Sequence, residues 1–392
     1  MKCLSEIGSS NTCVWLALSV LRLVGYLVPD QLTELQRRIR PFYVMLWFMF
    51  IVGIMMIAQI GDLVRIWGNV PLMVETSYLL FTYFVHVFKI INVVIHRKAI
   101  FDVVREGDEE LNMEERAEGK AIVERSNRDT KILLYTVFLF CCGSAFSWGA
   151  TEDRELLFRA WYPFDVTKTP AYEVAYVHQS LAVMVLALTN LSLGALEVSL
   201  VGVCRCRLSL LKLSLRTLFQ DVNVDVKHLI SKEDDNMVSE RLRVCIQKHQ
   251  IVLEATTKIE SCFTYSILAL FTVSIVVLCV SAYQLGEIEL DNEFRVVFMF
   301  TYLIGMVIQV FVYCYQGHHL SEESLEVADT VYELPWYLCS IPLRRSLLVM
   351  MARSRRAAEM TAGGFVTLSL GCFMSIIKVS YSFLTVLQQV DE

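Results

Sequence analysis

The stretch AGGFVTLSLGCFMSIIKVSYSFLTVLQQV, residues 362–390, decides how the rest of the chain is read. It is apolar over more than the roughly 20 residues that a helix needs to cross a hydrocarbon layer. It contains no Pro, and after the opening Gly363–Gly364 pair its one Gly is Gly371. Wound at about 100° per residue, it puts Gly371, Ser375, Val379, Ser382, Val386, Gln389 and Val390 on one face. Leu, Ile, Phe and Val cover the other faces, and Lys378 sits at the margin of the stripe. Lipid does not tolerate a stripe of small and polar groups cheaply. Two readings stand: packing between helices through small residues, or the wall of a water-filled pore.

The surrounding chain is of the same kind. Of its 392 residues, 55% are hydrophobic, and the mean hydropathy is +0.50, above the range of ordinary soluble domains. Six further apolar segments fall at about 41–60, 71–95, 132–150, 172–203, 261–285 and 294–315. Each must be helical, because lipid leaves backbone groups no other partner. The expected fold is an all-α membrane protein with seven transmembrane helices and its termini on opposite sides. Lys and Arg decide which side. Of the 35 in the chain, 28 fall in segments 1–40, 96–131, 204–258 and 317–361, and five in the alternate loops. That bias puts the N-terminus in the cytosol and the C-terminus outside. The first 29 residues lack a small-residue cleavage site, so a helix lying on the membrane surface is expected there rather than a removed signal. None of the twelve Cys lies in the inferred outer loops, so no outer disulfide is expected. Cys204 and Cys206 flank Arg205, where burial is the simpler reading and lipidation the alternative.

Several side chains stand out along the way. Segment 71–95 carries Tyr78, Phe81, Thr82 and Tyr83 in its outer half, then Lys89 much deeper. Glu197 lies at a comparable depth in the fourth span; the two either pair or snorkel separately to the surface, and snorkelling is preferred. Cys141, Ser144 and Trp148 share a face of the third span, and Tyr176, Gln179 and Ser180 lie in the outer half of the fourth. In loop 151–171, Trp161, Tyr162, Pro163 and Phe164 suit either a lid or the headgroup layer. Residues 96–131 mix charge signs at helical spacing and read as a solvated helix. Residues 239–283 read as one helix, without Pro or Gly, roughly 68 Å long. The fourth and sixth spans also run on, so three extensions are expected to pack into a cytosolic bundle. Glu322, Glu323 and Glu326 with His318 and His319 offer the ligand types of a metal site, but a solvated or salt-bridged helix face is the better reading. Pro335 and Pro342 break the chain before a short basic helix at about 343–353.

The stretches GHHLSEESLEVADTVY (317–332), ELPWY (333–337) and SYSFLTVLQQV (380–390) resemble the insect odorant receptor family. The resemblance covers the whole seven-span layout, including the inverted orientation; its specific part is the last seventy-five residues. Related gustatory receptors end in Thr-Tyr-x5-Gln-Phe. Here Ser382-Phe383-x5-Gln389-Val390 keeps the spacing and the Gln alone, which suits an odorant receptor. The resemblance implies a ligand-gated cation channel of four subunits, with the last helix of each lining one pore. It implies an outer gate at Val386, Gln389 and Val390. It implies a pocket for a small volatile ligand near Tyr78, Phe81, Thr82, Cys141, Ser144, Trp148, Tyr176, Ser180, Tyr283 and Tyr302. The connection 204–258 is short for the family's co-receptor, so the implied role is a ligand-tuning subunit partnered by that co-receptor.

The parts expected are thus residues 1–316 with six spans and the ligand site, a cytosolic anchor over 317–361, and the pore helix with a short outer tail over 362–392. The setting is the plasma membrane, with lipid, cations and a volatile molecule as partners. No cofactor and no nucleic acid are called for. The inferred orientation argues against a G-protein-coupled receptor. An enzyme is disfavoured because no span gathers a nucleophile, a base and metal ligands.

Overall fold

The computed structural model describes residues 12–26, 38–39, 42, 44–46, 48–149, 156–166, 168–222, 231–287 and 293–391. Helix α1 spans Thr12–Val24; a π-turn at Met49–Gly53 leads into α2, Ile54–Arg65. Four long helices follow α3, Val70–Asn112: α4 (Ala117–Gly149), α5 (Ala171–Arg216), α6 (Lys232–Glu287) and α7 (Glu293–Glu333). A 3-10 turn at Trp336–Leu338 precedes α8, Ile341–Ser354. Strands β1 (Thr361–Ala362) and β2 (Val366–Thr367) make an antiparallel hairpin, and α9 covers Leu370–Asp391.

Local signals set these ends. The Asn69 side chain accepts the Leu72 N–H, and Pro71 occupies the first turn of α3, where its missing N–H costs nothing. Ser231 accepts the Asp234 N–H, and Glu233, Asp234 and Asp235 fill the acidic first turn of α6. With no Pro or Gly between 239 and 283, α6 runs unbroken for 56 residues, longer than the 45 expected. Pro342 does not interrupt the chain as expected; it starts α8 from within its first turn.

Five described helices are long and apolar enough to cross a membrane, within Val44–Arg65, Leu79–Asn112, Ala171–Arg216, Lys232–Gly286 and Met299–Glu333. Thr12–Val24 and Leu370–Val386 are apolar but shorter. α1 buries Val14, Ala17, Leu18 and Leu21 while Trp15, Leu16 and Leu23 stay exposed, so apolar residues cover both of its faces rather than one.

Beyond their apolar parts, α3, α5, α6 and α7 continue side by side at one end of the molecule, here the basic end. Ion pairs lace them together. Arg207, almost fully buried on α5, meets Glu110 of α3 at 2.5 Å, and Lys212 meets Glu323 of α7 at 2.5 Å and also Glu326. Removing one member of so buried a pair costs about 3–5 kcal/mol, because the other charge is left dry and alone. Residues 96–131 are therefore not one solvated helix. They are the end of α3 and the start of α4, with Ile100, Val103, Val104 and Leu111 buried against the extensions. Cys204 and Cys206 are buried, in line with the simpler reading of that pair. His318 and His319 lie 3.4 and 2.8 Å from the Glu322 carboxylate, contacts that are ion pairs when the imidazoles are protonated.

Two further expectations are corrected. The last helix begins at Leu370, not at 362. Gly363 and Gly364 take φ of +66° and +81°, which L side chains rarely adopt, and so turn the chain into the hairpin. The Gly363 N–H bonds the Thr264 carbonyl of α6 at 3.0 Å, and the Gly364 N–H bonds the Thr264 hydroxyl at 3.1 Å. The turn is thus stitched to the bundle. Lys89 and Glu197 do not snorkel; they meet at 3.6 Å with 0% and 3% of their side chains exposed.

Candidate functional site

Two regions carry the candidate residues. The first is an apolar cluster at the end opposite the basic one. Ile51, Val52 and Met55 enter it from the first span, Leu79 and Tyr83 from α3, Ala182 and Leu186 from α5, and Val280 and Tyr283 from α6. Tyr302 of α7 and Leu384 of α9 pack against it. Phe158, from the segment between α4 and α5, closes it from above.

That segment is pinned by polar contacts. Gln179, fully buried on α5, accepts the Phe158 N–H and donates to the Phe158 carbonyl, both at 3.0 Å. The Trp161 N–H bonds the Ala58 carbonyl at 2.9 Å, and the indole lies on Gly61, where a Cβ would come within 3.2 Å of the ring. Asp62 accepts from Arg159 at 3.1 Å and from Thr76 at 3.2 Å. These contacts hold the start of the Trp161–Phe164 run against the bundle, while Trp161 and Phe164 stay 41% and 44% exposed, so both placements of the run stay open.

The expected ligand residues are only partly gathered. Tyr283 and Tyr302 join the cluster, and the Thr82 hydroxyl lies 3.3 Å from that of Tyr302. Phe81 and Cys141 are half-buried on α3 and α4. Tyr176 is half-buried nearer the start of α5, stacked on Tyr172 at 5.9 Å, and Ser180 donates to its carbonyl. Tyr78, Ser144 and Trp148 lie on their helices, but their side chains are outside the described residues. Tyr83 was passed over. It has 0% exposure, and its hydroxyl has no hydrogen-bond partner among the described residues. Leaving such a group unpaired costs about 1–3 kcal/mol, and a polar atom brought in by a ligand would recover it.

The second region is α9. One edge holds it to the bundle: Ile376 and Ser380 are buried, and Phe373, Ile377 and Leu384 pack against the core. Gly371, Ser375, Val379, Ser382, Val386 and Gln389 are all exposed, Val386 by 57%. The stripe therefore does not pack within its own chain. Its hydroxyls are satisfied locally, Ser375 on the Gly371 carbonyl and Ser382 on that of Lys378, both at 3.0 Å. The Val390 side chain is outside the described residues. No group of three or more potential metal ligands gathers among the described residues.

The profile of the 7tm odorant receptor family matches residues 69–381. The chain belongs to this family. Odorant receptor 82a of Drosophila melanogaster is 26% identical over 62% of the chain and 60% of its own length. Odorant receptor 22c of the same organism is 30% identical over 46% of the chain and 44% of its own length. The chain thus spans less than two thirds of the length of these two curated relatives. The fold resembles that of the insect olfactory receptor OR5 from Machilis hrabei, solved alone and in complex with eugenol. The TM-scores are 0.81 and 0.80, at 17% and 18% identity, over 96% of this chain and 97% of that one.

Proposed function

We propose that this odorant receptor chain is the ligand-tuning subunit of a non-selective cation channel of four subunits, assembled with a co-receptor in the plasma membrane. Seven spans run from a cytosolic N-terminus to an outer C-terminus, and the basic end is the cytosolic anchor. A small volatile molecule enters the outer cluster beneath the Phe158 lid. Its binding opens a pore lined by α9, gated at Val386, Gln389 and Val390. The observation that carries this reading is the polar stripe of α9, turned away from its own bundle in a chain of this family. Rings of Val side chains close a pore by dewetting, and a Gln ring offers polar groups to a passing ion. An apolar cluster with few polar groups, such as the Thr82–Tyr302 pair, suits a small volatile molecule. That the solved relative was captured with eugenol supports a ligand of this general size.

The test is expression with and without the co-receptor, recording currents against eugenol and a panel of six- to ten-carbon alcohols, aldehydes, ketones and esters. Currents evoked by one or more of these, dependent on co-expression, are expected. Ligand responses carried only by a G protein, or an N-terminal tag stained on intact cells, would overturn the reading.

A further inference from the structure

One face of α3 is fully buried at three successive turns: Tyr83, His86 and Lys89, each 0% exposed. Tyr83 belongs to the outer cluster. His86 bonds the Thr189 hydroxyl of α5 at 3.0 Å. Lys89 donates to the Tyr313 hydroxyl of α7 at 3.1 Å and lies 3.6 Å from Glu197 of α5. Tyr313 donates to Glu197, and Ser266 of α6 donates to the other carboxylate oxygen at 3.2 Å. Four helices thus converge on one buried carboxylate. Two charges this dry are costly to keep, which makes an ionisable pair at membrane depth a candidate functional site rather than a source of stability.

The contact continues on α7. A cavity of about 10 Å³ is lined by Glu197, Tyr313 and Gln316 together with Met360 and Leu368. Leu368 donates its N–H to the Met360 carbonyl at 2.9 Å across the hairpin that precedes α9. Gly317, one turn beyond Tyr313, abuts the same Leu368: a Cβ there would lie 2.4 Å from the Leu368 Cβ and 3.0 Å from its carbonyl oxygen. At Gly317 no side chain fits between α7 and Leu368, and elsewhere on the same contact the Phe311 ring of α7 meets the Phe373 ring of α9 at 5.5 Å. A shift of α7 at Tyr313 therefore reaches the root of α9 through these contacts.

We infer that Lys89, Glu197 and Tyr313 are the positioning residues of gating, a buried latch that couples the outer cluster to the root of α9 through Gly317. This rests on the ligand-gated reading above. Neither charge touches the ligand or the pore; the pair fixes the relative placement of α3, α5 and α7. A ligand that moves α3 at Tyr83 strains the latch, and the closed arrangement of the hairpin goes with it.

The test uses Tyr313→Phe, Glu197→Gln, their double variant and Gly317→Ala, each co-expressed with the co-receptor. The probe is whichever panel volatile best activates the parent. Surface labelling, ligand-free current, half-maximal concentration and maximal current are read. Ligand-induced thermal shift of the purified chain reports binding. Tyr313→Phe removes only a hydroxyl, so it keeps the test alive where the charged variant fails to reach the surface. Each latch variant is expected to change ligand-free current or half-maximal concentration at least tenfold, with the thermal shift retained. The double variant is expected to add little to the larger single effect. Gly317→Ala is expected to cut maximal current at least fivefold at unchanged surface level. Parent-like currents from Tyr313→Phe and Gly317→Ala, or single effects that simply multiply in the double, overturn the latch. A parent that reaches the surface with its co-receptor and passes no evoked current overturns the channel reading instead.

Discussion

Replacing Gln179 tests whether the segment over the outer cluster is a lid held by a few identifiable bonds. Gln179→Met keeps nearly the same volume and removes both bonds to the Phe158 backbone. An amide hydrogen bond contributes about 1 kcal/mol net, and a partner left buried and unpaired costs about 1–3 kcal/mol. Losing both should therefore favour the detached segment by about 2–4 kcal/mol. At about 1.4 kcal/mol per tenfold, its population rises roughly 30- to 1,000-fold. The Asp62–Arg159 pair holds the same segment, but Arg159 is 39% exposed, and pairs of that kind contribute about 1 kcal/mol or less. It does not make up the loss. Hydrogen exchange of the purified protein reads the outcome at the amides of Phe158 and Trp161. Both should exchange at least tenfold faster in Gln179→Met, while amides of the α5–α6 contact at the basic end keep their rates. Equal rates at Phe158 and Trp161 in parent and variant would mean that the Gln179 contacts are incidental, and the lid would lose its argument.

Three further outcomes are expected. Val386→Ala and Gln389→Ala should each change permeation, Val386→Ala by a several-fold rise in ligand-free current as the apolar ring loosens; unchanged conductance, selectivity and block in both would remove these residues from the pore. At the turn between α3 and α4, hydrogen bonds from Arg116 hold the Glu114 carboxyl below its usual value, at 2.7 and 2.8 Å. A depressed carboxyl stabilises the fold above its unfolded value of about 4.5 and loses that contribution as pH falls through its folded value. The melting-temperature gap between parent and Arg116→Met should thus close in acid, and a gap independent of pH would refute the assignment. Burial pushes the Cys339 thiol up to about 11, so it should resist maleimide at neutral pH. Arg344→Ala removes bonds to the carbonyls of Cys339 and Tyr337 and also a charge that lowers this thiol; labelling several-fold faster by mass spectrometry would therefore report loosening of the turn outweighing the electrostatic change.

What could be seen in the sequence follows from which physical signals are one-dimensional. The long helices were legible because charge segregation and the lack of Pro and Gly are properties of the string; 239–283 lies wholly within α6. The hairpin before α9 was hidden because its residues are apolar too. Only the adjacent glycines Gly363 and Gly364 marked it, and they also fit a small-residue stripe. Depth along a helix could be counted, so Lys89 and Glu197 were placed at one level. Their rotation about separate axes depends on packing, which decides pairing against snorkelling. The same ambiguity hid Tyr83 beside Thr82: about 100° apart on α3, Thr82 reaches the edge of the outer cluster through the Tyr302 hydroxyl, while the Tyr83 ring is a buried member of it. Gln179 was noticed for its depth, but its partner lies 21 residues away on an irregular segment that no periodicity places.

The exposed surface of α9 carries the channel reading one step further. Beside the polar stripe, Tyr381 and Phe383 are 66% and 56% exposed. A single chain cannot satisfy both surfaces. Lipid would suit the aromatic flank and strand the stripe, and water would do the reverse. Copies arranged around an axis resolve the conflict, with stripes facing a common aqueous centre and flanks meeting neighbours or lipid. On that arrangement the attachment by one edge, through Phe373, Ile376, Ile377, Ser380 and Leu384, is a functional requirement. A helix cemented broadly into its own bundle could not tilt when the hairpin root moves. Widening the attachment should then stiffen the gate. Ser380→Leu adds apolar volume on the buried edge and should lower maximal current at unchanged surface level. A parent-like maximal current from a well-expressed Ser380→Leu would show that the last helix does not move as a lightly held unit.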